Sequence, residues 1–191
     1  MSIALFHFHV TQIKRSAGQS AVASAAYRSG EKLHSEYYGE DSDYTKKGGV
    51  ICSEILLPPH APPEYTDRET LWNAVEKAER GKKAQLAYSF DIALQNEFSM
   101  QENIELARQF LLEQFVSRGM VVDFAVHAPD KDDGGISNPH FHVMKRFVKC
   151  FFELLTQIIV KVRKCKVQRV CVLHFQLAGS GGCFFLMKLY H

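Results

Sequence analysis

The stretch MVVDFAVHAPDKDDGGISNPHFHVM, residues 120–144, carries the pattern around which the rest of the chain arranges itself. An apolar strand, Met120 to His127, and another strand, His140 to about Val148, flank a hydrophilic, Asp- and Gly-rich segment from Asp130 to Asn138. Runs of this length bounded by turn residues read as two strands of a hairpin. On a strand, residues i and i+2 point to the same face. His140 and His142 therefore face one way while Phe141 faces the core. His127 ends the preceding strand, and pairing of the two strands brings it close to the other two. Three imidazoles leave open positions on a divalent ion for a substrate oxygen. A His-x-His pair also arises by chance on a sheet, and the third histidine on the neighbouring strand is what favours the metal reading.

Outward from this hairpin the elements alternate without βαβ spacing. Residues 3–13 alternate as a strand, with Ala4, Phe6, Phe8 and Val10 on one face and Leu5, His7, His9 and Thr11 on the other. GQSAVASAAYRSG, residues 18–30, opens an Ala-rich helix expected from Ser20 to Leu33, with Ser20 as N-cap. Residues 35–49 read as a loop, and Val50 to Leu57 as a strand ended by Pro58 and Pro59. A helix capped by Thr66 or Asp67 is expected to reach Arg80, with Leu71, Trp72 and Val75 on one face. Leu86 to Leu94 suits a strand. Ser99, with Glu102 three residues on, gives a capping box for a helix to about Val116, stopped by Gly119. The fold class expected is α+β, a largely antiparallel central sheet with packed helices.

Composition bounds the function. The chain has 191 residues, 46% hydrophobic and 23% charged, the balance of a soluble globular domain. Its start lacks the basic region of a signal peptide, and no apolar run of about 18 residues predicts a membrane span. Five cysteines, an odd number without a close pair, argue against a disulfide framework and for a reducing, cytoplasmic compartment. The net charge of +2 is uneven: nine Lys/Arg and one acidic residue lie from Lys145 onward, about +8, which leaves about −6 for the body. Charge alone does not point to DNA.

Tyr27 stands on the Ala-rich helix among Ala21, Ala23, Ala25 and Ala26, small residues that permit close approach of backbone or ligand. Most helical tyrosines are packing residues. A tyrosine hydroxyl is a weak nucleophile at its ordinary pKa and needs a metal or base beside it. His7 and His9 form a second His-x-His pair, read as a polar sheet face with metal ligation as the alternative. Arg28, Lys32, Lys46 and Lys47 are candidates for phosphate contact or for ordinary solvated surface. His34, His60, His174 and His191 belong to no constellation.

Three stretches together resemble the MobA/MobL family of mobilisation relaxases, within the HUH endonuclease superfamily. They are GQSAVASAAYRSGEKLHSEYYGEDSDYTKKGGV (18–50), SEILLPPHAPPEYTDRETLWNAVEKAER (53–80) and MVVDFAVHAPDKDDGGISNPHFHVM (120–144). The resemblance covers about residues 1–144 and implies an HUH relaxase-like fold. It implies that Tyr27 is the nucleophile and that His127, His140 and His142 bind Mg or Mn. It also implies that Asp91, in SFDIALQ, orients a metal-ligand histidine, where a surface charge is the alternative. The implied activity is metal-assisted nicking of single-stranded DNA at a transfer origin, through a 5′-phosphotyrosyl intermediate. The implied partners are that DNA and other relaxosome and coupling proteins, with no membrane. The alternative is a non-catalytic, origin-binding remnant of a truncated relaxase.

After Met144 the resemblance stops. Four of the five cysteines, Cys150, Cys165, Cys171 and Cys183, lie beyond it, and Phe and Val crowd there without clean period. The expected organisation is a relaxase domain at 1–147, incomplete against the family pattern, and an atypical tail at 148–191. The tail reads as a shifted frame, an insertion or a truncation, with Phe151, Phe152, Phe184 and Phe185 left partly exposed. The alternative is a genuine final helix, Phe147 to Arg163, and strand, Val167 to Leu177.

Overall fold

The computed structural model describes residues 8–128 and 139–147, with the backbone of 176–177 and 183–184. Its centre is an antiparallel sheet in the order β4-β6-β7-β5-β1, formed by β4 (Val50–Leu56), β6 (Met120–His127), β7 (His140–Phe147), β5 (Gln85–Ala93) and β1 (Phe8–Lys14). Two short strands, β8 (Gln176–Leu177) and β9 (Cys183–Phe184), extend it beyond β1. Three helices pack on it: α1 (Ala21–Ser29), α2 (Arg68–Ala78) and α3 (Met100–Gln114). A separate hairpin pairs β2 (Lys32–Ser35) with β3 (Glu40–Asp43). Among the described residues, no helix is long and apolar enough to cross a membrane.

The period-2 alternation of the strands divides the core into two layers. Phe90, Val122, Phe124, Phe141 and Val143 face Ile104, Ala107 and Leu111 of α3. Ala87, Val121 and Met144 point the other way, against Ala21, Val22, Ala25 and Ala26 of α1 and Leu71 and Trp72 of α2. The alanines let α1 lie close to the sheet, since at Ala21, Ala25 and Ala26 no side-chain atom beyond Cβ intervenes. Buried polar groups fix this layer. Arg68 donates from Nε and Nη2 to Asp123 at 3.0–3.2 Å, and Trp72 Nε1 donates to the same carboxylate at 2.8 Å. Severing a buried pair of this kind costs about 3–5 kcal/mol, because one charge is left unpaired.

Two expectations for residues 20–49 need correction. The first helix ends at Ser29, not Leu33, because Gly30 takes φ 71°, a left-handed conformation that closes a helix. Residues 35–49 are not wholly loop, since the strands of β2 and β3 begin at Lys32 and end at Asp43. These strands are short and polar, and only Leu33 and Ser35 of β2 are buried, so their alternation is too brief to register as a strand. The start of α1 also has a cap that no local pattern reveals. Beside the Ser20 hydroxyl, which accepts from Ala23 N–H at 3.0 Å, the buried Glu76 carboxylate of α2 accepts from Ala21 N–H at 2.7 Å. A carboxylate there answers both the orphan N–H groups and the positive end of the helix. The second helix ends at Ala78 and the third at Gln114, where a 3-10 turn at Val116–Arg118 leads to Gly119 at φ 83°. The 130–138 turn, His7, and most of the tail, including Phe151, Phe152, Phe185 and the Phe147 to Arg163 helix, lie outside the described residues. Of the expected strand Val167 to Leu177, only Gln176–Leu177 is described, as β8.

Candidate metal centre

Strand register builds the site. His127 of β6 lies opposite His140 of β7, and Asp91 of β5 lies opposite His142. Directly opposed residues share a face, so the three histidines and Asp91 project on the α1 side of the sheet. One nitrogen from each of His127, His140 and His142 lies within 4.8 Å of the other two. The ring centroids stand 4.6 Å apart for His127 and His142, 5.0 Å for His140 and His142, and 5.8 Å for His127 and His140. With metal–nitrogen bonds of about 2.1 Å, nitrogens at this spacing reach one cation between them.

Hydrogen bonds bear on the tautomers of two of the three rings. His127 Nε2 lies 2.8 Å from the carbonyl oxygen of Arg28, which only accepts, so Nε2 carries the proton and Nδ1 holds the lone pair. His142 donates from Nδ1 to the Asp91 carboxylate, which leaves its Nε2 lone pair for a cation. Burial pushes the His127 imidazole down to about 4, against the Arg28 hydrogen bond that raises it, and electrostatic interaction with His142, Lys47 and His140 acts in the same direction as burial. The ring is thus neutral near pH 7 and its lone pair is not lost to a proton. Burial acts to raise the pKa of Asp91, but the His142 hydrogen bond and the charges of His142, Arg28 and His9 outweigh it and hold the carboxyl below its ordinary range. An ionised Asp91 is the form that accepts from His142 Nδ1. Three converging imidazoles, two of them held by hydrogen bonds on the other ring nitrogen, fit a divalent ion.

The remaining sequence candidates fall differently. His9 lies opposite Asp91 and approaches it at 3.7 Å, so it contacts the carboxylate and is not in the group of three that converges. Arg28 does not offer its guanidinium to solvent: Nη1 donates to Ser24 O at 2.8 Å and Nη2 to Ser89 Oγ at 2.7 Å. Lys32 pairs with Asp41 at 2.8 Å on the small hairpin, where His34 also meets Asp41. Lys46 and His60 are exposed. Tyr27 is 47% exposed, its ring edge-on to Tyr44 at 5.2 Å and its face covered by Lys47 Nζ at 3.5 Å. The residue after it, Arg28, is the one whose carbonyl holds His127, so the backbone that carries Tyr27 is tied directly to the histidine group. Nothing in the sequence signals this bond, because it uses a main-chain oxygen.

Residues 19–149 match the MobA/MobL family. The chain belongs to the MobA/MobL family. This MobA/MobL chain is 34% identical over 142 residues to a probable mobilization protein MobA of Bifidobacterium longum, covering 74% of this chain and 24% of that protein. It is 38% identical over 152 residues to the conjugal transfer protein TraA of Rhizobium radiobacter, covering 74% and 13%. With the mobilization protein MobL of Acidithiobacillus ferridurans it shares 36% identity over 127 residues, 66% of this chain and 33% of that one. A chain solved in work on the molecular basis of vancomycin resistance transfer in Staphylococcus aureus has a TM-score of 0.67 and 36% identity, covering 74% of this chain and 69% of that chain. The MobA/MobL chain thus spans between 13% and 33% of the length of these curated relatives. Its fold is the α+β, largely antiparallel, HUH relaxase-like class expected from the sequence.

Proposed function

We propose that this chain is the nuclease part of a conjugative relaxase, which nicks single-stranded DNA at a transfer origin by attack of Tyr27 on a phosphodiester. The observation that carries this reading is the bond from His127 to the carbonyl of Arg28, which joins the tyrosine's helix to three converging histidines. His127, His140 and His142 would hold Mg or Mn, which would supply positive charge to polarise the scissile phosphodiester and offset charge on its non-bridging oxygens. The Tyr27 oxygen attacks phosphorus in line and gives its proton to water; the bond from phosphorus to the 3′ oxygen breaks, and that oxygen takes a proton from water to leave as a hydroxyl. The 5′ phosphate is then esterified to Tyr27. One phosphodiester has replaced another, so the bond energy is kept for rejoining. The partners on this reading are transfer-origin DNA and the other relaxosome and coupling proteins, in the cytoplasm. The direct test is incubation with a single-stranded oligonucleotide spanning the transfer origin of the element that encodes the chain, with Mn, followed by denaturing electrophoresis. A covalent protein–DNA band is expected, and binding without such a band would leave an origin-binding protein instead.

Asp91 is assigned the role of fixing His142. Asp91→Asn keeps the shape but removes the charge that holds the His142 proton on Nδ1. Mn affinity is expected to fall about 10- to 100-fold, the range for partners that orient a metal-ligating histidine. Titration by electron paramagnetic resonance measures this, and an unchanged affinity would return Asp91 to the status of a surface charge.

The division into a nuclease domain at 1–147 and a distinct tail at 148–191 is proposed on the change of charge and composition after Met144, and β7 ends at Phe147. A tail not matched to its body packs less well and exposes apolar side chains. Limited proteolysis is expected to cut after residue 147 and leave a resistant body. Equal resistance on both sides of that point would make the tail an integral part of the domain.

A further inference from the structure

We propose that Lys47 is a positioning residue for the nucleophile, holding the Tyr27 ring by its face in the orientation from which the hydroxyl attacks. The inference rests on the reading of Tyr27 as nucleophile and adds a residue to it.

An exposed helical tyrosine has several staggered rotamers open to it. In-line attack needs one of them, and a misplacement of about 1 Å costs roughly 100-fold in rate. Packing alone does not select the rotamer here, because Tyr27 is 47% exposed. Lys47 supplies the missing constraint through two contacts with the same residue. Its ammonium sits 3.5 Å from the Tyr27 ring centroid, and it donates to the Tyr27 carbonyl oxygen at 3.0 Å. That carbonyl lies at the C-terminal end of α1, where Gly30 and Glu31 N–H both turn back to Ala26 O. The cation therefore meets an oxygen at the negative end of the helix and the electron-rich face of the ring together.

The lysine is itself anchored. Lys47 N–H donates to Tyr44 O at 2.9 Å, and Tyr44 N–H donates to Glu31 O at 3.1 Å. A side chain at Gly30 would meet Val50 at 3.2 Å and the carbonyls of Tyr44 and Lys47 at 3.9 Å, so this glycine allows the loop to lie on the helix end. Tyr44 closes the ring's edge at 5.2 Å. A lysine that served only as a phosphate contact would have no need of the ring.

The test compares Lys47→Met, Lys47→Gln and Lys47→Arg in the full chain with the origin oligonucleotide and Mn. Removing the charge is expected to lower the single-turnover rate of adduct formation at saturating DNA by about tenfold or more, about 1.4 kcal/mol of barrier. The DNA Kd, read by fluorescence anisotropy, is expected to stay within about threefold, because the role is not electrostatic attraction of the strand. Lys47→Arg should recover most of the rate, since a guanidinium also stacks on an aromatic face. Independently of activity, the 3-fluorotyrosine resonance of Tyr27 should shift in the Met and Gln variants. An unchanged saturating rate, a loss confined to Kd, or an unmoved Tyr27 resonance would each overturn the positioning role. A wild-type chain that forms no adduct would overturn the nuclease reading itself, and this role with it; a wild type that reacts beside unaffected variants overturns only the role of Lys47.

Discussion

Tyr27→Phe is expected to abolish the covalent DNA adduct while leaving the fold in place. The loss should exceed about 10³-fold, because the substitution removes the attacking oxygen and not merely a group that assists it. The fold should hold because the change deletes one hydroxyl from a side chain that is 47% exposed. Exposed changes of this size are usually worth less than about 0.5 kcal/mol. The ring contacts with Tyr44 and Lys47 do not need the hydroxyl, so the phenylalanine ring keeps them. Adduct formation by denaturing electrophoresis, beside a thermal melt, reads both halves. A Phe variant that still forms the adduct would move the nucleophile to another tyrosine. Tyr37 and Tyr38 are exposed on the turn between β2 and β3 and would be the next to replace.

The parts of this fold that were legible in the sequence are those whose signals are local. The β6–β7 hairpin could be read because the apolar run of β6 meets a polar stretch, and because His140 and His142 keep the strand period in β7. The helix α3 announced itself through Ser99 and Glu102, and the capping box they form is present. Ser20 likewise caps α1 as its position suggested. What escaped depends on distant contacts. The β2–β3 hairpin is polar on most of its surface, because it packs beside α1 and α2 and not in the main sheet, so its two buried positions carry too little pattern. Glu76 reads as an ordinary charged position on a helix, yet it is buried and serves α1, Ser20 and Ser35. The end of α1 was set by a single glycine. In the candidate site, strand period and hairpin pairing predicted that the histidines would meet. The choice of nitrogen on His127 was not predictable, since a main-chain oxygen of α1 makes it. The same holds for the ammonium on Tyr27: twenty residues separate Lys47 from it, and two glycines beside the lysine signal only a turn.

His140→Ala is expected to weaken Mn binding and DNA cleavage together. The Asp91 bond to His142 and the Arg28 carbonyl bond to His127 do not use the His140 ring, so its removal tests ligation while leaving those two bonds in place. It is half-buried, and alanine leaves the sheet pairings with Ala93 and His127 intact because they use the backbone. Two nitrogens, on His127 and His142, would remain. Losing an orienting partner of a metal ligand already costs about 10- to 100-fold in affinity, so loss of the ligand itself should cost at least about 100-fold. Cleavage at fixed, subsaturating Mn should fall by a similar factor, and raising Mn should restore part of it, because the affected step is occupancy of the site. That partial rescue separates a ligand from a residue that merely shapes the DNA groove, for which added Mn would do nothing. Loss of cleavage with unchanged Mn affinity would remove His140 from the ligand set and leave the three-histidine reading without its third member.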